Sequence, residues 1–218
     1  MANLKGGSPE RFGTLASWLY RRWAEPMIAP LHRRIGAEIP IEQGRLLDVG
    51  CGPGRLDRLL AAASPELDVE GIDASPEMVR EAGMGPALPN LRFRVGSAED
   101  APFFEEFDFA IAVLTFHHWE KPAAGLAGVY RTLKPGGRFW IYEGNADAPA
   151  DALARDRAPL FGWLPIPIFL MRHGIRHHGF SRAEIDGPVR GAIAESPFGK
   201  ADVVETGGSF RICMARAS

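Results

Sequence analysis

Two clusters in this sequence have residue types able to do chemistry: a glycine-rich run carrying its own carboxylate, and a pair of adjacent histidines. The first reads Leu46-Leu47-Asp48-Val49-Gly50-Cys51-Gly52-Pro53-Gly54. An apolar strand there runs straight into glycines, which let the chain turn tightly and approach a ligand with no Cβ in the way. The helix expected next offers free N–H groups and the positive end of its dipole. That arrangement suits a nucleotide-like guest, and the carboxylate narrows the choice. Asp48 at the strand end would repel a pyrophosphate and attract a cation. The dinucleotide pattern also fails at its third small residue, where Arg55 stands, and there is no Gly-Lys-Ser/Thr phosphate loop. The second cluster, Thr115-Phe116-His117-His118-Trp119, supplies imidazoles that can move a proton near neutral pH. His117 and His118 are the candidate catalytic residues.

Elements must hold these groups in place. Strand-like apolar runs are expected at 45–50, 68–73, 91–95, 107–114 and 138–143, with helices at 55–63, 76–82 and 122–133 between them. Ser75-Pro76 is a helix start, and Pro135-Gly136-Gly137 a stop-and-turn. Alternation of this kind makes a parallel sheet covered on both faces. The end, 201–206 and 209–215 around Gly207-Gly208, reads as a β-hairpin. The expected fold class is therefore α/β: a Rossmann-like, doubly wound, mostly parallel seven-stranded sheet closing in an antiparallel hairpin.

Ahead of this core, Trp18, Leu19, Trp23, Met27, Leu31 and Ile35 recur at helical spacing, and Pro26 and Pro30 are expected to divide that arm into short helices. Residues 145–180, rich in proline and aromatics, read as an inserted cap. The stretch 181–193 reads as a helix weakened by Gly187-Pro188. The chain is thus expected to be a single domain, with an arm at 1–43, a cofactor-binding core at 44–144, a cap at 145–180 and completion of the core at 181–218.

Composition sets the class. The 218 residues are 46% hydrophobic and 24% charged, ordinary for a globular protein, and a formal net charge of −2 offers polyanions no general attraction. Two separate cysteines make no disulfide framework, the N-terminus lacks a signal-peptide core, and the apolar run 160–171 is too short to span a bilayer. A cytoplasmic protein with no stable membrane insertion is expected, as monomer or homodimer. His173, His177 and His178 have spacings that could place two on one helical face, but Gly174 and Gly179 interrupt that helix. The segment reads as a solvated basic loop, able to greet an acidic substrate group through Arg172 and Arg176, and no metal is expected.

Taken together, the motifs resemble the class I S-adenosylmethionine-dependent methyltransferases, in the branch with many small-molecule enzymes. The resemblance rests on Asp48–Gly54, Gly71-Ile72-Asp73, the run from Gly96 to Phe103, Phe107-Asp108, His117-His118-Trp119 and Leu133-Lys134-Pro135-Gly136-Gly137, in order over about 45–143. It implies S-adenosyl-L-methionine as cofactor and S-adenosyl-L-homocysteine as product. It implies that Gly50, Cys51, Gly52 and Gly54 pass under the cofactor and that Asp48 contacts its amino-acid part. Asp73 would accept both ribose hydroxyls, Ala74 and Met78 would line the adenine with Ala98, and Leu114 would be a further cofactor-binding residue. Where the family most often has Gly-Asp-Ala, this chain has Gly96-Ser97-Ala98, so the adenine amine falls to Ser97 or Glu99.

The reaction implied is methyl transfer to an O, N or C atom of a small, apolar or aromatic molecule. Its pocket is expected between the sheet edge, the arm (Trp18, Tyr20, Trp23) and the cap (Phe161, Trp163, Phe169). A nucleic-acid methyltransferase is the nearest rival, disfavoured by the net charge and by Thr115-Phe116-His117-His118 standing where an Asn/Asp-Pro-Pro-aromatic motif belongs. A nicotinamide dehydrogenase is disfavoured by Arg55 and the hairpin. A non-catalytic, cofactor-binding partner protein is the third reading.

Overall fold

The structure, a computed structural model, describes residues 25–155 and 167–218. Its strands are β1 (Gly44–Val49), β2 (Leu67–Asp73), β3 (Leu91–Val95), β4 (Phe107–Val113), β5 (Leu133–Gly144), β6 (Asp202–Thr206) and β7 (Ser209–Ala215). They form one sheet in the order β3-β2-β1-β4-β5-β7-β6. The first five run parallel, and β7 is antiparallel to both β5 and β6. The chain order reverses between β1 and β4, and ligands of open α/β sheets collect at such a switch point, beyond the C-terminal strand ends.

Helices α1 (Glu25–Glu38), α2 (Arg55–Ala63), α3 (Pro76–Gly83) and α4 (Pro122–Thr132) accompany the parallel strands. Alternation along the strands divides the core. Leu47, Val49, Ala110, Ala112, Phe139 and Ile141 enter one buried cluster, and Leu46, Val69, Ile111 and Tyr142 enter the other. Phe107 and Phe109 are two residues apart yet fall in opposite clusters, because the register with β5 shifts between them. That shift is where Pro135-Gly136-Gly137 goes. The expected stop-and-turn lies inside β5, with Gly136 at φ 77°. Asp108 and Lys134, both from the family motifs, brace this end: the Lys134 ammonium donates to the Asp108 carboxylate at 2.8 Å, as does the Arg45 N–H at 2.9 Å.

Two local expectations need correction. Pro30 does not end a helix: α1 runs unbroken through it. Pro26 sits in the first turn, where no intrahelical donor is needed, and the bond lost at Pro30 is offset by packing of Leu31 and buried Ile35 on the sheet. The 168–178 stretch is not a loop either. It is a helix, α6 (Ile168–His178), that continues through Gly174 and ends at Gly179. A single glycine costs a helix only about 1 kcal/mol, which tertiary packing overrides.

Between β5 and α6 lies α5 (Ala150–Arg155). The chain leaves and re-enters the sheet at one point. The Phe180 N–H donates to the Gly144 carbonyl at 2.8 Å, and the Ala146 N–H donates to the Phe180 carbonyl at 2.9 Å. Gly179 is required there, since a Cβ would collide with the Gly144 carbonyl. After it, Ser181 opens a helical run with a full capping box to Glu184. The turn widens at Ile185–Val189, around Gly187-Pro188, before resuming at Arg190–Glu195. No helix among the described residues is long and apolar enough to cross a membrane.

Candidate cofactor and acceptor site

Beyond the ends of β1, β2 and β4 lies a cavity of about 810 Å³. Asp48, Gly50, Cys51 and Gly52 form its floor. Asp73, Ala74 and Met78 form a second side, with Ser97, Ala98 and Glu99 beside them. Leu114 and His118 come from the far end of β4. Of the residues singled out for the cofactor or for catalysis, Gly54 and His117 stay off the cavity wall.

The three loop glycines do different jobs. All have positive φ, at 79°, 54° and 72° for Gly50, Gly52 and Gly54. A Cβ on Gly52 would meet nothing within 4 Å, so this glycine leaves open space for a guest. On Gly54 it would strike the Phe93 ring, so Gly54 serves the packing of α2 against the sheet. The loop is pinned to β2 by Gly50 and Cys51 N–H groups donating to the Ile72 carbonyl at 2.7 and 3.0 Å.

Asp73 completes that pinning. One carboxylate oxygen accepts the Gly52 N–H at 2.9 Å and the other the Ser75 N–H at 2.8 Å. The helix cap of α3 is Ser75 itself, whose hydroxyl accepts the Met78 N–H. Asp73 is therefore a brace across the site, with one lone pair left on each oxygen for a guest.

The electrostatics are lopsided. Asp48 is 2% exposed, and its Oδ1 has no hydrogen-bond partner among the described residues. Burial pushes its carboxyl well above the usual range, with Asp57 and Asp73 adding to the effect. Asp57, in the first turn of α2, is wholly buried with neither oxygen partnered among the described residues, and burial pushes it up to about 7. Asp73 is also raised, by burial. Burial likewise holds the Cys51 thiol high, which keeps it protonated and no nucleophile. Two desolvated carboxyls on the cavity wall, Asp48 and Asp73, with Asp57 buried behind them, favour a cationic guest.

This has a measurable consequence. A carboxyl raised in the folded state stabilises the fold fully only below its unfolded value of about 4, and that contribution is lost as pH rises through the folded value. Asp57→Asn removes the effect. Its stability advantage over the wild type is expected to grow from about pH 6 to about pH 8, reaching roughly 1 kcal/mol or more. Thermal melts at both pH values check it, and equal differences would refute the assignment.

At the acceptor end, His117 is 4% exposed and Glu143, at the end of β5, is wholly buried. His117 Nδ1 lies 2.9 Å from Glu143 Oε2, and the His117 backbone N–H donates to Oε1 at 3.2 Å. Sequence reasoning missed Glu143, whose only signal was a carboxylate at a parallel strand's C-terminal end. It also missed His32, which reaches the cavity from α1 with Ile28 and whose imidazole burial lowers to about 4. Of the expected aromatic walls, Trp18, Tyr20, Trp23, Phe161 and Trp163 lie outside the described residues. Phe169 stands on α6, exposed and away from the cavity.

A sheet of this order, with its last strand slipped in antiparallel, is a fold shared with solved S-adenosylmethionine-dependent methyltransferases. Residues 47–141 match the family model described as a methyltransferase domain.

An uncharacterized methyltransferase of Mycobacterium tuberculosis is 34% identical over 109 residues, covering 50% of this chain and 43% of the relative. A ubiquinone biosynthesis O-methyltransferase of Xanthomonas oryzae is 31% identical over 158 residues, covering 66% and 64%. This chain thus spans 43% and 64% of these relatives' own length. A SAM-dependent methyltransferase from Aquifex aeolicus shares the fold with a TM-score of 0.65 at 20% identity, over 87% of this chain and 93% of that one.

Proposed function

We propose that this chain transfers the methyl group of S-adenosylmethionine to a small molecule. The observation that carries the reading is the unpartnered, buried Asp48 carboxylate beneath an open glycine loop, flanked by Asp57 and Asp73. Such a group needs a cation to offset its desolvation. The residues present fit the cofactor: Gly52 leaves space, Asp48 is placed for the amino-acid end, and Asp73 keeps an acceptor lone pair on each oxygen for two ribose hydroxyls. Ala74, Met78 and Ala98 would line the adenine, with Ser97 or Glu99 toward its amine.

When bound, the cofactor supplies a methyl group already activated on a sulfonium. The protein's share is alignment, exclusion of water and proton removal, and alignment alone supplies up to roughly 7–11 kcal/mol of barrier reduction. His118 lines the cavity and would take a proton from an acceptor hydroxyl or amine, while His117, tied to Glu143, holds the turn that presents it. His32 marks the arm side of the acceptor space.

The acceptor class follows from charge and shape. A cavity ringed by carboxyls does not attract a polyanion, which favours a small molecule over nucleic acid. The relatives do not choose among acceptors. The ubiquinone biosynthesis O-methyltransferase and a trans-aconitate 2-methyltransferase of Streptomyces avermitilis resemble this chain about equally, at 31% and 30% identity.

Calorimetry with S-adenosylmethionine and S-adenosylhomocysteine tests the cofactor. Labelled methyl transfer to a panel of phenols, amines, carboxylic acids and bulk RNA tests the acceptor. Saturable binding and label in a small molecule are expected. Binding of neither compound would sink the reading, and label entering only RNA would reverse the acceptor class.

A further inference from the structure

Beyond the cofactor site, three imidazoles meet where the chain leaves and re-enters the sheet. His117 and His118 belong to the turn Phe116–His118 after β4, and His178 is the last residue of α6. One ring nitrogen from each lies within 4.8 Å of the others. The ring centroids of His117 and His118 are 3.9 Å apart, and that of His178 is 5.6 and 6.2 Å from them. Sixty residues of sequence separate the pair from the third, and the backbone pairing of Phe180 with Gly144 closes that distance.

Glu143 orients His117: Nδ1 lies 2.9 Å from its carboxyl, which leaves Nε2 as the ring nitrogen for another partner. Nε2 is buried and receives no hydrogen bond from any described residue. A buried polar atom with no partner is costly unless something else satisfies it. An imidazole whose second nitrogen donates to a carboxylate is the form in which histidine binds zinc, since the carboxylate fixes the tautomer and makes the ligand more basic.

We propose that His117, His118 and His178 form a zinc site, with Glu143 as the carboxylate that orients His117 and with one coordination position left open. In tetrahedral zinc with Zn–N bonds of about 2.0–2.1 Å, ligand nitrogens lie about 3.4 Å apart. The three donors therefore need to close by about 1.4 Å at most, within the reach of side-chain rotation at the exposed His178. That exposure also gives the ion a way in. Three protein ligands with a free fourth position is the pattern of zinc sites that act on a bound molecule. His118 lines the cavity as well, so the ion sits at its edge. Here the inference leans on the methyl-transfer reading: an acceptor hydroxyl bound at the fourth position would lose its proton to solvent more readily, a task that falls to the His118 imidazole when no metal is bound.

The test is metal binding by the full chain, stripped with a chelator and then titrated with Zn²⁺ alone by calorimetry. Co²⁺ in its place reports the ligand geometry through its visible spectrum. No cofactor or acceptor is present, so the result stands whether or not methyl transfer does. One equivalent per chain is expected, with a tetrahedral cobalt spectrum. His178→Ala lies at an exposed position and keeps the fold, which melting checks. It is expected to weaken zinc binding at least about 100-fold, and His173→Ala on the same helix to leave it unchanged. Glu143→Gln is expected to weaken it roughly 10–100-fold. Absence of saturable binding, an unchanged affinity in His178→Ala, or an equal loss in His173→Ala would overturn the site.

Discussion

Asp73→Ala is expected to weaken S-adenosylmethionine binding by at least about 100-fold. Two hydroxyl groups donating to one carboxylate contribute roughly 1.5–3 kcal/mol each, and tenfold in affinity corresponds to about 1.4 kcal/mol. The carboxylate also fastens the glycine loop to the turn before α3, through the Gly52 and Ser75 N–H groups. Its removal therefore frees the loop as well as deleting the contact. Asp73→Asn separates the two effects: its carbonyl oxygen still accepts one N–H, but its amide presents donors to the other N–H and to the ribose. Calorimetry on both variants, with melting curves to confirm the fold, decides the matter. An affinity for the alanine variant within about threefold of the wild type would rule out Asp73 as the ribose ligand.

The second large effect is expected from Gly128→Ala. In α4 this glycine faces the strand-to-loop segment carrying Ala98 and Glu99, and an added Cβ would overlap the Ala98 carbonyl and lie 3.0 Å from the Glu99 carbonyl oxygen. Both obstacles are backbone, which cannot swing aside as a side chain can. The gain in helix propensity, about 1 kcal/mol, is outweighed by forced separation of the two elements. A net loss of roughly 2 kcal/mol is expected, lowering Tm by about 4–8 °C for a domain of this size. The same displacement would move Ala98 and Glu99 at the cavity wall, so cofactor affinity should fall together with stability. A variant that melts at or above the wild-type temperature would show that α4 does not pack as tightly as described.

What could be read from the sequence divides along physical lines. Signals confined to a few neighbouring residues were legible. The helix 55–63, the strand 91–95 and the hairpin around Gly207-Gly208 stand where periodicity and turn chemistry put them. Asp48, Gly52 and Asp73 reach one cavity because strand ends and following turns are local features repeated along the chain. What depends on distant approach was not legible. Gly54 looks like its neighbouring glycines, and only the arrival of Phe93 reveals that it serves packing. Nothing near Glu143 announces His117, 26 residues away. His178 stands among three histidines of similar spacing, and the Gly144–Phe180 pairing selects it. Pro30 inside α1 is a further case, a local penalty overruled by contacts that only the folded chain supplies.

The narrow stem at Gly144, Asn145 and Phe180 carries a consequence of its own. Because the excursion between β5 and the helical run after Ser181 starts and finishes at one spot, its length and content can change while the sheet keeps its hydrogen bonding. The methyl-donor site proposed above draws on β1, β2 and the turns after them. Grafting a different segment onto the same stem would thus exchange what the excursion carries while leaving the rest of the sheet in place.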